Sequence, residues 1–88
     1  MLREEILIKN ESGLHAKVAS MLVELCNKYN SDIRIYANDM IIDGKSIISI
    51  LLGKIYKDTL IKLEVEGEDE KQAFEAIVKY LKEVEEWY

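Results

Sequence analysis

Apolar residues in this chain switch between two spacings, and the order of the switches leaves few folds open. Residues 2–9 alternate, with Leu2, Ile6 and Ile8 on one side and Arg3, Glu5 and Lys9 on the other, the period of a half-buried strand. Residues 16–29 carry Ala19, Leu22, Val23, Cys26 and Tyr29 at helical spacing. Alternation returns through Ile33, Ile35 and Ala37 in residues 32–37. Asn38-Asp39 then reads as a tight hairpin turn into a strand over 40–43. Ser46 opens a short apolar helix over 47–52 that closes near Gly53. A strand over 59–66 points Ile61, Leu63 and Val65 inward and Lys62, Glu64 and Glu66 outward. Asp69 with Gln72 predicts a capping box for a last helix over 70–86, whose buried face is Ala73, Phe74, Ile77, Val78, Leu81 and Val84.

The order is β-α-β-β-α-β-α. An α+β fold of two layers, a four-stranded antiparallel sheet with three helices on one face, buries every apolar stripe. With 88 residues, one domain spanning 1–88 is expected. The chain has no proline, and its four glycines fall between elements as punctuation.

Charge and cysteine count narrow the functional classes. A net charge of −5 argues against double-stranded nucleic acid, which binds through Lys and Arg, and against anionic membrane surfaces. The longest apolar runs, such as 47–53, fall far short of the ~20 residues that span a membrane. The acidic opening Met1-Leu2-Arg3-Glu4-Glu5 has no signal-peptide character. The single cysteine, Cys26, permits no internal disulfide, lies in the core stripe, and with one histidine makes no zinc site. These features favour the cytoplasm, with no metal and no cofactor.

One histidine, His15, falls where a loop becomes a helix. The first amides of a helix lack internal partners and sit at the positive end of its dipole, which together make an anion site. Imidazole is partly neutral and nucleophilic near neutral pH. A phosphoryl group on the ring would meet the amides of Ala16 and Lys17 and the Lys17 ammonium. Gly13 removes bulk just before the ring. Ser12 reads as a cap for the following helix or a support for the His15 loop, with the cap favoured. Nothing nearby activates water, which suits a reversible phosphoryl carrier better than a free-standing hydrolytic enzyme.

The residues also carry a family pattern. Gly13-Leu14-His15-Ala16 resembles the active-site segment of the HPr family, the histidine-containing phosphocarriers of the bacterial sugar phosphotransferase system. Gly44-Lys45-Ser46-Ile47 resembles that family's regulatory serine segment, and Glu66-Gly67-Glu68-Asp69-Glu70 matches the stretch before its last helix. The spacings agree without a gap, and the element order agrees with the family's open-faced β-sandwich. The resemblance implies that His15 takes phosphate from phosphorylated enzyme I and passes it to sugar-specific IIA domains. It implies Ser46 as the target of an HPr kinase/phosphorylase; by its own chemistry Ser46 reads as an N-cap, and a phosphate there would sit at a helix N-terminus with the Lys45 cation beside it. A catabolite-control transcription factor is a further implied partner.

Val18, Met21 and Leu25 form a second apolar line on the first helix, and Ile47, Ile48, Leu51 and Leu52 exceed what a short helix buries. A wide core face accounts for them; so does a docking patch flanking His15. The resemblance implies docking contacts at Val18, Met21, Ile47, Ile48 and Leu51 of a monomeric carrier. The sequence departs from the family at Lys17-Val18, where Arg-Pro is usual. Lysine loses arginine's rigid fork, and valine loses proline's fixed φ. Lys54 and Asp58 stand where glycines are common, so Gly53 is expected to end its helix one residue early. These departures favour a second reading, a regulatory binding module acting through Ser46 and protein docking. Trp87 and Tyr88 are expected to fray, and Glu83, Glu85 and Glu86 to face solvent.

Overall fold

The computed structural model describes residues 1–84. In chain order the elements are β1 (Leu2–Leu7), α1 (Ala16–Cys26), β2 (Asp32–Ala37), β3 (Met40–Asp43), α2 (Ile47–Leu52), β4 (Leu60–Glu66) and α3 (Glu70–Glu83). The expectations for Glu85, Glu86, Trp87 and Tyr88 lie outside the described residues.

The four strands make one antiparallel sheet in the order β1-β4-β2-β3. Placing β4 between β1 and β2 puts the strand with the most buried residues inside the sheet: Ile61 pairs with Ile6, and Leu63 with Ile35. Asn38 and Asp39 both take positive φ, 50° and 64°, the conformation a two-residue hairpin needs to match strand twist. Ala37 and Met40 are therefore cross-strand partners.

The helices cover one face. Ile6, Ile33, Ile35, Ile42, Ile61, Leu63 and Val65 from the sheet meet Ala19, Leu22 and Cys26 of α1, Ile50 of α2, and Ala73, Ile77 and Leu81 of α3 in one buried cluster. The other face of the sheet is open, and here Glu64 corrects the outward reading. It sits on that face yet is only 8% exposed. Tyr36 Oη donates to its carboxylate at 2.9 Å, and Arg3 and Arg34 lie within 3.4 Å of it. A lone strand's alternation gives the face but not the cover that neighbouring strands provide.

The element ends also differ from expectation. The first strand stops at Leu7; Ile8 stays bonded at 3.0 Å to the Thr59 carbonyl, and Asp58 N donates to Ile8 at 2.7 Å. The first helix stops at Cys26, where Asn27 caps it by donating from Nδ2 to the Val23 carbonyl. Tyr29 packs on the core from beyond the helix. The last helix ends at Glu83 because Val84 turns to extended backbone.

The expected capping box does not form. Asp69 occupies the N-cap of α3, but its carboxylate accepts from the amides of Asn30 and Ser31, both at 2.9 Å, and from the Ser31 hydroxyl. Glu70 satisfies the local amide instead, accepting from Gly67 N at 3.1 Å. A long-range partner has claimed the side chain that local spacing assigned to the helix.

Candidate functional site

Gly13 sets the geometry of the histidine loop. Its φ is +63°, and a Cβ there would lie 2.4 Å from the Ile55 carbonyl oxygen and 2.6 Å from Tyr56 Cα. The backbone of residues 10–13 turns tightly: Gly13 N donates to the Asn10 carbonyl at 3.1 Å, and Asn10 Nδ2 donates to the Gly13 carbonyl at 2.7 Å. Only glycine permits both the left-handed angle and the close approach.

The next residue is the anchor. Leu14 is buried, and its amide donates to the Ile55 carbonyl at 2.9 Å. With Leu14 held below, His15 falls at the N-cap of α1 with extended backbone, φ −73° and ψ 176°. Its carbonyl accepts the first helical bond, from Ala19 N at 2.8 Å. His15 makes no side-chain cap bond, and its ring is half-buried. The cap is thus His15 and not Ser12.

Ala16 and Lys17 follow as the first exposed residues of α1. Their amides, with that of Val18, are the donors a helix leaves without internal partners. No acidic residue stands in this first turn to compete for them. The loop therefore offers a nucleophile, helix-start amides and the Lys17 side chain on adjacent residues.

Val18 corrects a docking assignment: it is 1% exposed and belongs to the core. The helix turns its second apolar line inward at this point because α1 packs against both α2 and α3. Met21, Ile47, Ile48 and Leu51 do reach solvent, Ile48 most of all at 67%. Leu52, which belongs to the same apolar run, and Tyr56, which spacing did not single out, are exposed to a similar degree. In a six-residue helix every side faces some apolar residue, so periodicity cannot say which ones are covered. Tyr56 follows Ile55, so the same segment that holds Leu14 carries an exposed aromatic ring.

Residue 54 explains the family departure. Gly53 caps α2 with a right-handed φ of −69°, and the left-handed conformation falls on Lys54 at φ 51°. Asp58 is left-handed too, at 71°. Gly53 ends α2 as its C-cap, as expected, while lysine and aspartate take up the left-handed conformations themselves. Asn38 secures this helix end by donating to the carbonyls of Gly53 at 2.9 Å and Lys54 at 3.2 Å.

Ser46 stands at the other end of α2. Its hydroxyl accepts from Ser49 N at 3.2 Å, the expected N-cap bond. Lys45 does not turn toward it: Nζ donates to the Tyr29 carbonyl at 2.7 Å, and the Lys45 carbonyl accepts from Asn27 Nδ2. Ser46 thus lies beside the C-terminal end of α1 and His15 at its start. At ~1.5 Å per residue, the 11 residues of α1 that lie between these two ends span about 16 Å. Cys26 is buried, and burial pushes its thiol up to about 12, which leaves it unreactive.

A family model described as "PTS HPr component phosphorylation site" matches residues 2–83. The phosphocarrier protein HPr of Neisseria meningitidis serogroup A is 34% identical over 77 residues, spanning 88% of this chain and 86% of that protein. The crystal structure of HPr from Thermoanaerobacter tengcongensis superposes with a TM-score of 0.89 at 33% identity, covering 93% of this chain and 92% of that one. The Bacillus subtilis catabolite repression protein Crh, described as a swapped dimer, gives a TM-score of 0.75 at 26% identity over 94% and 95% of the two chains.

Proposed function

The chain belongs to the HPr family of phosphocarriers of the phosphotransferase system, and on that premise we propose that His15 is its phosphoryl acceptor, loaded by phosphorylated enzyme I and unloaded onto IIA domains of sugar permeases. The observation that carries the reading is a half-buried imidazole at the N-cap of α1, fixed by the Gly13 turn and the Leu14–Ile55 bond. A neutral ring nitrogen attacks phosphorus, a P–N bond forms, and the bond from phosphorus to the donor breaks with its electron pair leaving on the donor. The amides of Ala16 and Lys17 and the Lys17 ammonium balance the arriving charge. The reverse step on a IIA acceptor uses the same contacts.

Met21, Ile47, Ile48 and Leu51, joined by Leu52 and Tyr56, are the proposed docking surface, because α1 and α2 pack side by side and leave these apolar residues uncovered. The protein acts as a cytoplasmic monomer in this scheme. Incubation with enzyme I and phosphoenolpyruvate tests the assignment: acid-labile phosphate is expected on the wild type and none on His15→Ala. Uptake that persists in His15→Ala removes His15 from the role.

A second reading has its own support in the likeness to Crh and in the Lys17-Val18 departure. Here the chain is a regulatory module, phosphorylated on Ser46 by an HPr kinase/phosphorylase and docking on a catabolite-control transcription factor. It predicts acid-stable phosphate at Ser46 without phosphate at His15. Partner binding that responds only to Ser46 modification would decide for it.

A further inference from the structure

The carrier scheme needs the first turn of α1 to keep its shape while a charged group arrives beside it. That turn is weakly secured by its own residues. The N-cap side chain makes no capping bond to this turn, the turn holds no acidic residue, and Val18 is β-branched, with limited helix propensity. Helix ends so placed fray.

A contact from the far end of the chain supplies what the local sequence lacks. Tyr80, in the last turn of α3, donates from Oη to the Val18 carbonyl at 2.9 Å. Both ends of the bond are held: the Tyr80 ring packs against the core, and the Val18 side chain is buried in it. Burial raises the phenol's pKa above its ordinary value, so the hydroxyl stays a donor across the neutral range. A partly buried tyrosine hydroxyl still seeks a partner, and here the partner is the backbone three residues past His15.

We infer that Tyr80 is a positioning residue for the His15 site, pinning the first turn of α1 from α3 so that the amides of Ala16 and Lys17 stay aimed at an incoming phosphoryl group. This inference rests on the carrier reading above. Tyr80 touches neither His15 nor phosphate in the scheme; it acts through Val18.

Tyr80→Phe removes the hydroxyl and nothing else. Ile33→Val, in the buried part of β2, is the control, because trimming a core isoleucine lowers stability by a comparable amount. Phosphoryl uptake from phosphorylated enzyme I is measured where all three proteins are fully folded. Tyr80→Phe is expected to lose about three- to tenfold in kcat, the worth of one neutral hydrogen bond, with KM little changed. Ile33→Val is expected to match the wild type. Equal rates for Tyr80→Phe and wild type overturn the inference, as does an equal fall in both variants. Backbone amide order parameters of Lys17 and Val18 in the unphosphorylated protein give a second readout. They are expected to drop in Tyr80→Phe alone, and no drop overturns the pinning. If the wild type takes up no phosphate, the carrier reading fails, while the order parameters still decide whether Tyr80 holds the turn.

Discussion

The amide of Leu14 donates to the carbonyl of Ile55 at 2.9 Å, so the histidine loop is seated on the segment that leaves α2. Two stretches 41 positions apart, by subtraction of those residue numbers, share one piece of backbone. His15 inherits its position from that seat, and Gly13 makes the seat possible.

Gly13→Ala tests the seat. The new Cβ would collide with the main chain of Ile55 and Tyr56, which cannot swing aside, and alanine would be held at φ +63°. A loss of about 2–4 kcal/mol in unfolding free energy is expected from strain and overpacking together. Urea denaturation measures it, and a change under half a kcal/mol, roughly the scatter of neutral surface substitutions, would contradict the tight approach.

Lys17→Arg is expected to speed phosphoryl uptake. A guanidinium presents a rigid fork to phosphate where an ammonium presents a point charge. The gain should be about three- to tenfold in kcat/KM with enzyme I. A slower Lys17→Arg protein would show that lysine suits this loop better.

The docking surface and the core separate at Ile48 and Val18. Ile48→Asp changes an exposed residue in the first turn of α2, so stability should move by less than about 0.5 kcal/mol while partner affinity falls roughly tenfold or more. Val18→Ala should cost about 1–3 kcal/mol of stability through a core cavity. Calorimetric titration with enzyme I, alongside denaturation, reads both. Unchanged affinity for Ile48→Asp would remove α2 from the docking surface.

Lys54→Gly should stabilise the fold. Lysine holds a left-handed φ of 51° just past the end of α2, where glycine carries no steric penalty. A gain of about 0.5–1 kcal/mol is expected in urea denaturation. A loss would mean that the lysine side chain contributes contacts worth more than the strain.

Acid should weaken the fold through three carboxylates. The Ser31 hydroxyl and the Asn30 amide hold Asp69 below the ordinary carboxylate range. The Gly67 amide and the N-terminal ammonium do the same for Glu70, and the Tyr36 hydroxyl and Arg3 for Glu64. A carboxyl with a lower pKa folded than unfolded adds stability above its unfolded value and loses it as pH falls through the folded one. Stability should therefore be whole at neutral pH and decline below the ordinary carboxylate range. Asp69→Asn should be less stable at neutral pH and show a shallower acid decline. Parallel pH profiles for variant and wild type would refute the assignment.

Periodicity together with cap and turn residues was enough to read the seven elements, because alternation, helical spacing and turn chemistry are local properties. The Asn38-Asp39 turn was legible for the same reason: two residues that tolerate positive φ stood between two alternating runs. Element ends were less legible. Asp69 and Gln72 have capping-box spacing, yet Asp69 bonds to Asn30 and Ser31, and nothing within six residues of Asp69 announces them.

His15 at a helix start, and Ser46 as an N-cap, were determined by the sequence itself, since each depends on a few neighbouring residues and the unpaired amides of a helix beginning. Only the tertiary structure decided which apolar residues stay wet, why Val18 is buried while Ile48 is not, where Lys45 spends its ammonium, and that Tyr80 reaches the first turn of α1. The physical reason is that burial and long-range hydrogen bonds belong to pairs of elements. A single strand or helix carries its own period but has no record of what will be packed against it.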